Sequence, residues 1–167
     1  DGIRVDIYPP PVPTMVSEPG YTSTTANLVE CGPVIDALSG GENYQFQMAT
    51  NAGFTAGVVT SPWGTVASWT FTGLTHGVTY YYRVCARDAV LNVSSWSAPV
   101  WSTQDTSVPT ITTFSDNVPA NADPNHVWTR DLNVAWAASG VGDSLSPVNV
   151  FAEVSTNTLF VPVLWSG

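Results

Sequence analysis

The chain has 167 residues and carries 13 acidic against 4 basic side chains, a net charge of −9. Nucleic acid and anionic lipid both call for a basic footprint, so neither partner is expected, and no apolar run is long enough for membrane insertion. Hydrophobic residues at 44% allow a buried core, while 13 prolines, 13 glycines and no helical periodicity point to an all-β protein of short strands joined by turns.

In chain order, "IRVDIY" (Ile3 to Tyr8) alternates Ile3, Val5 and Ile7 against Arg4, Asp6 and Tyr8, the pattern of a half-buried strand. The stiff "PPPVP" spacer that follows leaves this strand without a hairpin partner. Residues 1–10 therefore read as the end of a preceding domain or as a strand lent to a neighbouring molecule. "TANLVEC" (Thr25 to Cys31) places Val29 and Cys31 on one face. "NYQFQMAT" (Asn43 to Thr50) places Tyr44, Phe46 and Met48 on one face, with Gln45 and Gln47 on the other. "SWTFTGL" leads into a His76-Gly77 turn. In the next strand Tyr80, Tyr82, Val84 and Ala86 point to the core, and Tyr81, Arg83, Cys85 and Arg87 point outward. Strands at this spacing point to a β-sandwich over residues 11–105.

"GLTHGVTYYYRVCARD" resembles the fibronectin type III pattern Leu-x-Pro-Gly-x-x-Tyr-x-x-Arg-Val-x-Ala, with Leu74, Gly77, Tyr80, Arg83, Val84 and Ala86 in place and His76 where proline is usual. "LNVSSWS" (Leu91 to Ser97) resembles the bacterial "GN-x-S-x-WS" loop and the start of the last strand, and "YQFQMATNAGFT" resembles the matching third-strand segment. The resemblance implies a fibronectin type III-like sandwich in which Tyr80 is the corner tyrosine and Trp96 covers one edge of the core, both structural roles. Cys31 stands where that pattern has a buried tryptophan, so neighbouring side chains must refill the lost volume. Residues 106–167 hold "LNVAWAAS" (Leu132 to Ser139) and "VNVFAEVST" (Val148 to Thr156), which look like the front half of a bacterial Ig-like or type III-like module. The chain thus reads as one sandwich followed by a second, incomplete one, truncated or completed by a strand from elsewhere.

The residues able to do chemistry are few. Cys31 and Cys85 fit neither a zinc site nor a redox CxxC; a disulfide between them would suit an extracellular protein, but Cys31 faces in and Cys85 out. Neither has an evident histidine partner for thiol catalysis, and His76 and His126 sit in turn or loop sequence outside any catalytic motif. Asp116, Asn117, Asn121, Asp123 and Asn125 gather oxygens that a calcium ion could use, though the loop lacks EF-hand spacing and reads more simply as turns. No other cofactor is expected. Trp63, Tyr81 and Trp101 are the aromatics that could stack on a sugar, against packing as the default use. Asn92-Val93-Ser94 is a formal glycosylation sequon within the family's usual loop sequence.

The expected function is a non-catalytic structural or adhesive module of a large secreted or cell-surface protein. Its partners would be copies of itself, with Ile3, Val5 and Ile7 adding as a strand to a fibre, or neighbouring domains of the same chain. The alternative is a carbohydrate-binding accessory module of a secreted glycosidase. An enzyme in its own right is not expected, since no paired carboxylates in a cleft are in evidence.

Overall fold

Alternating burial is what turns these segments into strands. The computed structural model describes residues 4–110 and two further strands, Thr113–Ser115 and Ala137–Ser139, and every element among them is β. In chain order these are β1 Tyr21–Thr22, β2 Ala26–Glu30, β3 Asn43–Ala49, β4 Val59–Thr60, β5 Ser68–Thr72, β6 Thr79–Arg87, β7 Val100–Gln104, β8 Thr113–Ser115 and β9 Ala137–Ser139. The chain divides into two compact units, Asp1–Thr106 and Ser107–Gly167. In the second, β8 pairs antiparallel with β9. Leu132, Val134, Trp136, the Val148 to Thr156 segment, His126 and the Asp116 to Asn125 loop lie outside the described residues.

The first unit has a five-stranded sheet in the order β1-β7-β6-β3-β4 and a two-stranded sheet β2-β5. All pairs are antiparallel except β1 with β7. The β3–β6 register sets Tyr44 beside Ala86, Phe46 beside Val84 and Met48 beside Tyr82, so one face of both strands is apolar and buried. Opposite them, β2 and β5 contribute Val29 and Phe71. The Phe71 and Tyr82 rings stack at 5.7 Å between centroids, tying one sheet to the other. Met15 and Cys31, bridged antiparallel at the start of the domain, complete the core together with Leu74 and Tyr80.

Two turns fix the ends of β6. Before it, Gly77 adopts φ +79°, a left-handed conformation that glycine takes without cost, and its amide donates to the Gln104 carbonyl at 2.7 Å. After it, Asp88 terminates the strand: its Oδ1 accepts the Val90 and Asn92 amides at 2.9 and 2.8 Å, an Asx-type turn that places Leu91 at φ +74°. The last strand begins later than "SSWS" implies, at Val100. Residues 94–97 run alongside β6 through serine instead. The Ser94 and Ser97 amides donate to the Ala86 and Val84 carbonyls, and their hydroxyls accept the Ala86 and Val84 amides at 3.0 and 3.1 Å. The hydroxyls take the place of strand carbonyls, which lets the chain bend while β6 stays fully bonded.

The N-terminal segment differs from its sequence pattern. Residues 4–8 form no strand, and Val5 and Ile7 are 74% and 69% exposed. Asp6 is the better covered residue, because Asn92 Nδ2 donates to the Asp6 and Tyr8 carbonyls at 3.2 and 3.3 Å and draws the polar side of the segment against the domain. Ile3 lies outside the described residues.

Candidate functional site

The five-stranded sheet presents its outer face through β6 and its neighbours, and the side chains there come in rows set by the register. Tyr81 lies opposite Trp101, Arg83 opposite Gln47, Cys85 opposite Gln45, and Arg87 opposite Asn43. Loops then cover two of these rows. The Arg83 guanidinium sits between the Phe54 ring at 3.9 Å and the Trp96 ring at 4.7 Å, and its Nε donates to Gln47 Oε1 at 2.9 Å. Arg87 lies 4.4 Å from the Trp63 ring. Both arginines are half-buried, with each guanidinium held against the electron-rich face of an aromatic ring.

This arrangement corrects one expectation, for Trp96, and bears on the pairing left open for the cysteines. Trp96 does not cover an edge of the core. It lies half-buried on the outer face over Arg83, because the serine-bonded segment carries it along that side of β6. Cys31 and Cys85 form no disulfide. Cys31 belongs to the core, whereas Cys85 points away from it on the outer face of the other sheet. A disulfide joins two stacked sheets only when both side chains point into the space between them, and that of Cys85 points away. Cys85 is nonetheless buried, at 2% exposure, since it lies between the two covered arginine rows. Burial pushes both thiols up to about 11, so they stay protonated and unreactive at neutral pH.

Tyr80 is buried, and its hydroxyl accepts the Thr75 amide at 3.0 Å across the turn before β6. The three aromatics considered for a sugar share the outer face but not one platform. Trp63 is half-buried against Arg87, about 20 Å along β6 from Tyr81 at the usual rise per residue. Trp101, 52% exposed, and Tyr81 stand side by side. One row further, Tyr21 is 44% exposed and in register with Thr103, whose hydroxyl lies 2.8 Å from that of Thr79. Tyr21 was not singled out from the sequence: a two-residue edge strand paired in parallel leaves no periodic signal.

A second constellation lies where the N-terminal segment meets the loops after Cys31 and after β6. Asp88 is fully buried, with Asn92 Nδ2 donating to its Oδ2 at 2.7 Å. Burial works against its ionisation, but the hydrogen bonds from Asn92, Ser39 and Val90 outweigh it and hold the carboxyl below the usual range. Asp36 Oδ1 accepts the Leu38 and Ser39 amides at 2.9 and 2.8 Å. The Ala89 amide donates to the Gly40 carbonyl at 2.9 Å, joining the two loops. Asp6, Asp36 and Asp88 are the acidic group whose ligand oxygens lie close enough to share an ion among the described residues. The sequon asparagine is therefore an organiser of this end of the domain, its amide engaged with Asp6, Tyr8 and Asp88.

A five-stranded sheet facing a two-stranded one, closed by a corner tyrosine bonded to the turn before its own strand, defines a fibronectin type III-like β-sandwich. Sandwiches of this class commonly serve as structural or binding modules, and the site rather than the fold decides which. No family profile matches the chain, and no curated protein matches it. Among solved structures it is similar to the sixth fibronectin type III domain of human fibronectin type III domain containing protein 3, at 23% identity over 65% of this chain and 98% of that one, TM-score 0.43. It is also similar to the domain FN3tt, at 15% identity over 59% and 95% of the two chains, TM-score 0.41. A third is the twitchin kinase region of C. elegans, at 21% identity over 55% of this chain and 16% of that one, TM-score 0.42.

Proposed function

We propose that the chain is a non-catalytic structural or adhesive module of a larger secreted or cell-surface protein, associating with copies of itself or with neighbouring domains. One observation carries this reading. The three segments that meet at the Asn92 end leave apolar side chains uncovered: Val5, Ile7 and Tyr8 from the N-terminal segment, Ile35 and Leu38 from the loop after Cys31, and Val90, Leu91 and Val93 after β6. Exposure ranges from 49% at Val93 to 81% at Ile35. Apolar side chains left exposed by three segments that meet at one end of the module support a contact with another protein surface there. The contact would run through the exposed side chains of Val5 and Ile7, since residues 4–8 form no strand and Asn92 holds their backbone against their own domain.

The remaining side chains with chemical potential serve the scaffold: Tyr80 closes the corner, the two arginines are stacked, and the two thiols are buried. Sedimentation velocity over a concentration series tests the reading. The parent should form concentration-dependent higher species, and a Val5→Asp/Ile7→Asp variant should remain a monomer with an unchanged melting temperature. A parent that is monomeric throughout contradicts it.

A second reading has its own observation. Trp101 and Tyr81 side by side, with Tyr21 a row away and the Thr79–Thr103 hydroxyl pair between, offer ring faces and hydroxyls of the kind sugars use. Co-sedimentation with insoluble polysaccharides, lost in Trp101→Ala and retained in Trp63→Ala, would favour a carbohydrate-binding accessory role.

A further inference from the structure

One ligand oxygen each from Asp6, Asp36 and Asp88 lies within 4.8 Å of the other two. They come from three separate stretches of chain, and Asp36 and Asp88 are 9% and 0% exposed. Carboxylates brought this close repel one another, a cost that a shared positive charge relieves. No basic side chain does so: among the described residues the ion pair is His76 with Asp105, at 3.6 Å. Arg83 and Arg87 are committed to aromatic rings on the outer face. A second, independent observation points the same way. Asp6 Oδ2 is shut off from solvent and accepts no hydrogen bond, although Oδ1 of the same carboxylate takes the Tyr8 amide at 3.0 Å. A buried carboxylate oxygen left without any donor is costly, and a cation is the partner that a ring of acceptors can share.

We infer that a divalent cation of calcium's kind binds between Asp6, Asp36 and Asp88 and ties the N-terminal segment to the loops after Cys31 and after β6. The donor set is all oxygen, which hard cations take and zinc or copper do not favour. Calcium's flexible shell of six to eight oxygens at about 2.3–2.6 Å suits carboxylates gathered from three separate stretches of chain, whereas magnesium demands near-ideal octahedral geometry at about 2.0–2.1 Å. Several carboxylate oxygens already accept amides, so water completes the shell, and the affinity falls in the range of extracellular calcium modules, about 10⁻⁴–10⁻³ M. Val5 and Ile7 flank Asp6 in sequence. The ion therefore fixes the direction in which the uncovered apolar side chains are presented, and the inference stands whether or not they meet a partner.

The test is isothermal titration of the chelator-stripped chain with calcium alone and with magnesium alone, alongside thermal melts with and without each ion. The full chain should bind one calcium at this site, more tightly than magnesium, and melt higher in its presence. Asp6→Asn should weaken calcium binding at least tenfold. Without metal it should melt at or above the parent, because it removes one of three repelling charges and leaves the Asp88 turn intact. An Asp116→Asn/Asp123→Asn variant of the second unit should bind calcium at this site as the parent does. Absence of a saturable signal up to about 10 mM calcium, well above the expected range, would overturn the inference. So would full binding by Asp6→Asn, loss confined to the Asp116→Asn/Asp123→Asn variant, or a preference for magnesium.

Discussion

Leu91 offers the sharpest mechanical test of the loop after β6. It holds φ +74° with its side chain 63% exposed, so it bears the strain of a left-handed backbone with little burial in return. That conformation is imposed by its neighbours: Asp88 Oδ1 accepts the Asn92 amide at 2.8 Å, and the Leu91 amide reaches the Asp88 carbonyl at 3.3 Å. Left-handed geometry costs an L-residue about 1–2 kcal/mol. Glycine removes that cost but loses about 0.5–1 kcal/mol more chain entropy on folding. Leu91→Gly should therefore stabilise the first unit by about 0.5–1 kcal/mol, a rise of about 2–8 °C in melting temperature for a domain of this size. Phe54 is the control. It also has positive φ, +53°, but its ring packs on Arg83 at 3.9 Å. Phe54→Gly loses a stack worth about 0.5–1 kcal/mol at such a site and should show no gain. Differential scanning calorimetry of the two variants and Leu91→Ala decides the matter. A Leu91→Gly protein that melts below the parent, or a Leu91→Ala protein that gains as much, would refute the strain argument.

Tyr80→Phe leaves the Thr75 amide without its acceptor, and because Thr75 itself is exposed, water recovers part of the loss. Urea denaturation should register about 1 kcal/mol of destabilisation, and no measurable change would contradict the corner role. Arg83→Ala removes two ring contacts and the hydrogen bond to Gln47, so it should cost about 1–2 kcal/mol and alter Trp96 fluorescence, while Arg83→Lys recovers only part of it. Both thiols are raised to about 11 by burial. The unfolded chain ionises first, so stability is intact below about pH 8.5 and falls as pH rises towards 11. Denaturant midpoints that stay constant through that window, or that stay as steep in the Cys31→Ser/Cys85→Ser variant, would count against buried thiols.

The inner half of the sandwich was legible because a strand has period two: once Tyr80 is inside, Tyr82, Val84 and Ala86 must follow, and they do. The same parity told only half the truth about Cys85. It faces away from the core as expected, yet it is buried, because Phe54, Trp63 and Trp96 arrive from loops and cover the arginines on either side. No periodicity announces a loop folding back over a sheet. The Asn92 end was the least visible. Asn92 reads as a turn residue or a sequon, and the carboxylates it organises come from distant segments that only the closed fold brings together. In the N-terminal segment the alternation was real but its polarity misled. Asn92 takes the backbone carbonyls of Asp6 and Tyr8, so the acidic side is drawn in and the apolar side left out.

Amide hydrogen exchange measured at increasing protein concentration bears most directly on the claim that this is a structural or adhesive module meeting its partners at the Asn92 end. Protection should rise with concentration in residues 4–8, 35–38 and 90–93, while the amides of β3 and β6, already bonded within their sheet, stay unchanged. Exchange in those three segments that is the same at every concentration, or protection that appears around Tyr81 and Trp101 instead, would contradict the account.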